Sequence, residues 1–176
     1  MGVLTASSSR YEKKVKGEHF VDESGEKAVE ICTALGHEAQ YLGVLNDDIW
    51  MIRNAVVRAI ESGFDVVVVT GGTGLSPRDV TIEALKPLFE KEVEGWGDVF
   101  RMASFHEVGA AAALTRTTAG IVNGRLVIAL PGSPAAVELG LKLFGPEIPH
   151  IVHIAKGAVS HEPSHNPRSG KHSSDG

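Results

Sequence analysis

The sequence predicts an α/β domain of three layers, α/β/α, with a mostly parallel sheet between helices on both faces. Three observations predict it. Val66 to Val69 is apolar and β-branched at every position, as suits a strand covered on both sides. Strand-like and helical segments alternate along the chain, which implies crossover connections in a layered domain. Finally, "VVVVTGGTGLSP" and "VIALPGSPAAVEL" repeat one order of strand, glycine turn, Ser-Pro step and helix.

Val3 to Ala6 forms a short first strand. The polar stretch from Ser7 to Gly25 holds no sustained period and is expected as a long loop carrying Arg10, Lys13, Lys14 and Lys16. Asp22 to Leu35 has a helical pattern that stops at Gly36. "EAQYLGVL" reads as a strand. Asn46 to Ser62 sets Ile49, Ile52, Val56 and Ile60 on one helical face, and Gly63 ends it. After the strand from Asp65 to Thr70, a helix is expected from near Pro77 and another from about Gly97 through Leu114. "GIVNGRLVIAL" gives two short strands around a turn at Asn123-Gly124. "SPAAVELGLKLF" is helical, and "GPEIPHIVHIAK" gives a last short helix interrupted by Pro149. Residues 1–157 thus form one domain. Residues 158–176, poor in apolar side chains and rich in Ser, His, Pro and Gly, are expected as a disordered tail.

At 176 residues and 43% hydrophobic, the chain suffices for one domain with a core. A net charge of -5, from 17 basic and 22 acidic residues, argues against a nucleic-acid protein that lives by phosphate contacts. No apolar run approaches the roughly 20 residues of a membrane span, and the N-terminus lacks a signal pattern, so a cytoplasmic setting without membrane partners is expected. Cys32 is the single cysteine, and its apolar neighbours point to packing. Five of the eight histidines (His150, His153, His161, His165 and His172) crowd the last stretch, where Pro163 and Pro167 break any helix that would align metal ligands.

The turn from Gly71 to Gly74 lies where α/β sheets bind ligands, beyond the carboxyl end of a strand. Gly71, Gly72 and Gly74 admit positive φ and close approach, so the N–H groups around Thr73 can converge on an anion. Ser76 is expected to cap the next helix, with Pro77 in its first turn; Ser133 and Pro134 repeat the pattern. The P-loop and dinucleotide fingerprints are both absent, and a tight turn with no ligand is the plain alternative. Asp79 completes a capping-box spacing with Ser76, and Asp47 and Asp48 suit a helix's first turn. Taken singly, each acid reads as a cap. Taken together, they stand before two helices that follow neighbouring strands, an arrangement whose paired carboxylates would hold Mg²⁺ against substrate phosphates.

"TGGTGLSPRDVT" and "LPGSP", with "VEGWGDVFRMAS" between them and "TASSSRYEKK" and "NDD" before, resemble the MoaB/MogA family of molybdenum cofactor biosynthesis proteins over about residues 3 to 155. The resemblance implies a molybdopterin-binding fold and adenylylation of molybdopterin by ATP with Mg²⁺, releasing pyrophosphate. It assigns Asp47 and Asp79 to adenylyl transfer and metal binding, and Gly71, Gly72, Thr73 and Gly74 to the nucleotide and pterin pocket. Ser76, Pro77, Ser104, Pro131, Gly132, Ser133 and Pro134 fall to the same pocket and its wall. A homotrimer or homohexamer is implied as well. The alternatives are a pterin-binding assembly protein without catalysis and a nucleotide-processing relative of the CinA type. Two positions depart from the family pattern: Asp98 stands for the usual Glu, and Trp96 for the more frequent Phe.

Overall fold

The computed structural model describes residues 1–157. The tail proposed at 158–176 lies outside them. Six strands form one sheet in the order β2-β1-β3-β6-β5-β4, with β1 at Gly2–Ala6, β2 at Gln40–Leu45, β3 at Val66–Thr70, β4 at Lys91–Glu92, β5 at Thr118–Val122 and β6 at Arg125–Leu130. The neighbours β2, β1, β3 and β6 are mutually parallel; β5 and β4 add an antiparallel edge. The α/β class and mostly parallel sheet are as the alternation of segments predicts.

Alternate residues of the central strands feed two cores. On one face, Val3, Val66, Val68, Leu126, Ile128 and Leu130 pack against α2 (Glu23–Ala34), α5 (Trp96–Val108) and α6 (Pro134–Phe144). On the other, Leu4, Val67, Val69, Val127 and Ala129 pack against α3 (Ile49–Glu61) and the short α4 (Thr81–Leu85). The predicted stripe of α3 is the buried one, with Ile52, Val56 and Ile60 inside. At full burial each such side chain contributes about 1.5–3 kcal/mol. Asn123 (φ 48°) and Gly124 (φ 67°) both take the left-handed region, as a two-residue hairpin turn requires.

Several expectations need correction. The stretch after Ala6 is not all loop: Ser7 caps α1 (Ser8–Val15), a helix with no buried residue. Its tethers are polar, so apolar periodicity carries no trace of it. No helix begins at Pro77; residues 75–80 turn, and α4 starts at Thr81 without a side-chain cap. Gly109, at φ 60°, ends α5, and a 3₁₀ turn continues from Gly109 to Leu114. Pro149 sits in the first turn of α7 (Ile148–Ala155) and does not interrupt it. The strands preceding Asp47 and Asp79, β2 and β3, are not neighbours, because β1 lies between them. Strand β4, two exposed charged residues, has no sequence signal. Among the described residues no helix is long and apolar enough to cross a membrane.

Candidate active site

A cleft of about 460 Å³ opens at the carboxyl ends of β1, β3 and β6, lined by Ala6, by Gly71 to Gly74 and by Pro131 and Gly132. The fold builds it from touching main chain. The Gly71 N–H donates to the Leu130 carbonyl at 3.0 Å, and a Cβ on Gly132 would stand 3.0 Å from the Gly71 Cα. Gly71 (φ 86°) and Gly72 (φ 61°) occupy the left-handed region that side chains avoid. Thr81 closes the turn: its N–H reaches the Gly72 carbonyl at 2.9 Å and its hydroxyl the Gly71 carbonyl at 2.8 Å. Since the Gly71 N–H is spent on β6, the donors left for an anion are those of Gly72, Thr73 and Gly74, which bond to no backbone carbonyl among the described residues.

Asp48, not Asp47, caps α3, accepting the Met51 N–H at 2.7 Å. That frees Asp47 to turn inward. Its Oδ2 accepts both the amide (2.8 Å) and the hydroxyl (2.7 Å) of Ser8, while its Oδ1 is buried without a hydrogen-bond partner. This bare oxygen lies over Gly72, where an added Cβ would be 2.7 Å away. Asp79 lies over Gly74, its Oδ2 at 2.7 Å from a Cβ placed there, and the same oxygen accepts the Ser76 N–H at 3.0 Å. One glycine turn therefore carries both acids, although their strands are not adjacent.

The other expected site residues divide. Thr73 is buried in the turn, and Pro131 and Gly132 line the cleft. Ser76 and Pro77 are exposed on the outer turn. Ser133 caps α6 by accepting the Ala136 N–H at 3.2 Å, Pro134 begins that helix, and Ser104 is buried within α5; none of these lines the cleft. Asp98 is exposed and paired with Arg101 at 2.6 Å. Trp96 is buried, stacked on Phe144, and donates its indole N–H to Thr117 at 3.1 Å. Its substitution for Phe is a matter of core packing.

Two arginines line the cleft, Arg10 and Arg116. Arg116 donates to the Gly74 carbonyl at 3.2 Å and pairs with Glu83. Nothing in "LTRTTAG" marks it in the sequence. Behind Arg10 lies Asp22, the cap of α2. Burial pushes the Asp22 carboxyl up, but hydrogen bonds from Thr5, Tyr41, the Gly25 N–H and Ser24 outweigh this and hold it below its ordinary value. The Tyr41 hydroxyl is pushed up by burial and by that carboxylate, so it stays a donor. A larger cleft, about 660 Å³, opens at the opposite end of the sheet around His37, Phe64 and Asp65. Its glycines, Gly36 and Gly63, end helices and spend their N–H groups on the carbonyls of Thr33 and Ile60, and of its acids Glu38 and Asp65 the latter is already paired with Arg125 and Lys156.

Main-chain donors, two acids over one turn and two arginines on the wall define an α/β protein built to receive an anionic small molecule. Residues 2–150 match the family described as probable molybdopterin binding domain, and the chain belongs to that family of molybdenum cofactor biosynthesis proteins. It is 46% identical over 159 residues to a molybdopterin adenylyltransferase of Pyrococcus furiosus, covering 88% of this chain and 90% of that one. It is 40% identical to molybdenum cofactor biosynthesis protein B of Staphylococcus aureus, over 86% of this chain and 88% of the other. Its fold matches the crystal structure of the tungsten cofactor synthesizing protein MoaB from Pyrococcus furiosus with a TM-score of 0.78, at 45% identity over 88% of this chain and 95% of that one.

Proposed function

We propose that the protein is a molybdopterin adenylyltransferase acting in molybdenum cofactor biosynthesis. The terminal phosphate of molybdopterin attacks the α-phosphorus of ATP, and pyrophosphate leaves. Two anions must meet, so the protein's task is to position them and offset their repulsion. The N–H groups of Gly72, Thr73 and Gly74 bind phosphate oxygens, and Arg10 and Arg116 supply positive charge from the wall. No protein nucleophile takes part.

Mg²⁺ fits the residues present. The bare buried Oδ1 of Asp47 is a hard donor that lacks a partner, and Asp79 lies over the same turn. These two carboxylates would hold the ion, which when bound neutralises phosphate charge. The orphaned oxygen carries the reading, since a buried unpaired carboxylate oxygen is costly without a cation or donor.

The proposed consumption of ATP sets the protein in the cytoplasm. Assembly as a homotrimer or homohexamer is part of the reading, supported by an apolar surface on α5 where Val99, Met102, Phe105 and Val108 are exposed.

The test is pyrophosphate release from ATP, Mg²⁺ and molybdopterin, comparing wild type with Asp79→Asn at matched thermal stability. A clear loss in the variant is expected. Equal rates would reduce Asp79 to closing its own turn, and pterin binding without release in wild type would leave a binding protein in place of an enzyme.

A further inference from the structure

Asp22 is the only acid buried among the described residues, at 4% exposure. Capping α2 does not demand that depth, for Asp48 and Ser133 cap α3 and α6 from exposed positions. The carboxylate is instead enclosed by donors. Its Oδ1 accepts the Ser24 hydroxyl at 3.0 Å and the Gly25 N–H at 3.2 Å, and its Oδ2 accepts the Tyr41 hydroxyl at 2.5 Å. Gly25 leaves room for this, as a Cβ there would be 2.8 Å from Oδ2 and 2.5 Å from the Tyr41 ring. These neutral donors keep the group charged but do not cancel the charge.

The cation that faces it is Arg10. The Arg10 Nε lies 4.0 Å from Asp22 Oδ1 and donates to the Val21 carbonyl at 3.3 Å. That bond holds the Nε edge of the guanidinium toward the segment that opens α2, beside the Asp22 carboxylate. Among the described residues its terminal amino groups have no hydrogen-bond partner, and the side chain, 29% exposed, lines the glycine cleft. The same helix, α1, is fixed two residues earlier by Ser8 on Asp47. Because α1 buries no residue of its own, these polar tethers decide where Arg10 stands.

We propose that Asp22 is a positioning residue whose buried charge aims the Arg10 guanidinium at a substrate phosphate in the glycine cleft. The inference rests on the reading that the cleft takes phosphate-bearing substrates. A guanidinium suits the task because its planar fork can hold an inward partner at Nε and a phosphate at its terminal amines together; a lysine ammonium offers no such fork. The phosphate belongs either to ATP or to the pterin, and the two Michaelis constants separate them.

The experiment compares wild type, Arg10→Ala, Arg10→Lys, Asp22→Asn and the double variant Arg10→Ala/Asp22→Asn. KM is measured for ATP and for molybdopterin with kcat, and inorganic pyrophosphate binding is measured by calorimetry. Arg10→Ala is expected to raise KM for one substrate about 10-fold or more and to weaken pyrophosphate to a similar degree, with kcat changed less. Arg10→Lys should recover only part of this. Asp22→Asn should raise the same KM, and in the double variant add nothing to Arg10→Ala. Additive losses would make Asp22 a structural cap and overturn the proposal, as would unchanged KM values in Arg10→Ala. If wild type fails to turn over, the transferase reading falls alone, and the same double-variant comparison is made on pyrophosphate affinity. If wild type has no pyrophosphate affinity either, the proposal is overturned too. Should Asp22→Asn fail to fold, Tyr41→Phe, which removes one donor from the carboxylate, carries the comparison.

Discussion

Ser8 grips one oxygen of Asp47 twice, by its amide at 2.8 Å and its hydroxyl at 2.7 Å, and leaves the other oxygen buried and bare. The grip fixes which oxygen faces Gly72. Removing the hydroxyl by Ser8→Ala keeps the amide bond but loosens the carboxylate. The expected result is a kcat lower by about 10-fold and a higher half-saturating Mg²⁺ concentration, with Asp47→Asn lower by about 100-fold or more. Magnesium titrations of pyrophosphate release check this. An unchanged magnesium dependence in both variants would remove Asp47 from the metal site.

Gly72→Ala should unfold the turn from inside. The new Cβ meets the Thr81 hydroxyl at 2.5 Å and Asp47 Oδ1 at 2.7 Å while the backbone is held at φ 61°. A loss of about 1–3 kcal/mol is expected from conformation and contact together. Gly17 serves as the control, since it shares a positive φ of 71° but has nothing within 4 Å of its Cβ position. Urea midpoints of the two alanine variants should therefore separate, with Gly72→Ala the lower.

Much of this fold is legible in the sequence because apolar periodicity encodes it. Val66 to Val69, the α3 stripe and the Asn123-Gly124 turn stand where their residue types put them. What the sequence hid is held by polar contacts with partners far along the chain. Helix α1 depends on Ser7 and Ser8, whose partner Asp47 lies 39 residues beyond Ser8. Asp79 has capping-box spacing, but its bond to the Ser76 N–H closes a turn before the helix, not the helix itself. Arg116 reaches the Gly74 carbonyl across 42 residues. The resemblance named the glycine turn and the two acids, and the basic stretch after Ser9 already carried Arg10, which lines the cleft; Arg116 had no such signal, since a cation's place depends on what buries its stem.

Acid should expose the Asp22 network. Its pKa lies below the ordinary 3.8 in the folded protein, so its stabilisation is complete above that value and fades as pH falls through 3.8 toward the lower folded pKa. Asp22→Asn is expected to be less stable than wild type at neutral pH, and the gap should narrow as the solution is acidified past 3.8. The acids Asp65 and Glu92, lowered by Lys156 and Lys86, are common to both proteins and cancel. Urea unfolding at neutral pH and in acid measures the gap; a gap that stays constant rules out linkage through Asp22.

Phe105→Asp tests the proposed assembly. Phe105 is exposed on α5 beside Met102 and contributes nothing to either core. A charge there should leave monomer stability within about 0.5 kcal/mol while lowering the mass seen by light scattering. An unchanged mass would move the interface to another surface.

The contact of Gly71 with Gly132 limits how the cleft can be redesigned. Its floor is a seam between two loops with no side chain to exchange, so altering one loop forces the other to move. An engineer seeking a different ligand has to work at the rim, where Leu114, Thr115 and Arg116 stand, and must treat residues 71 and 132 as a single part.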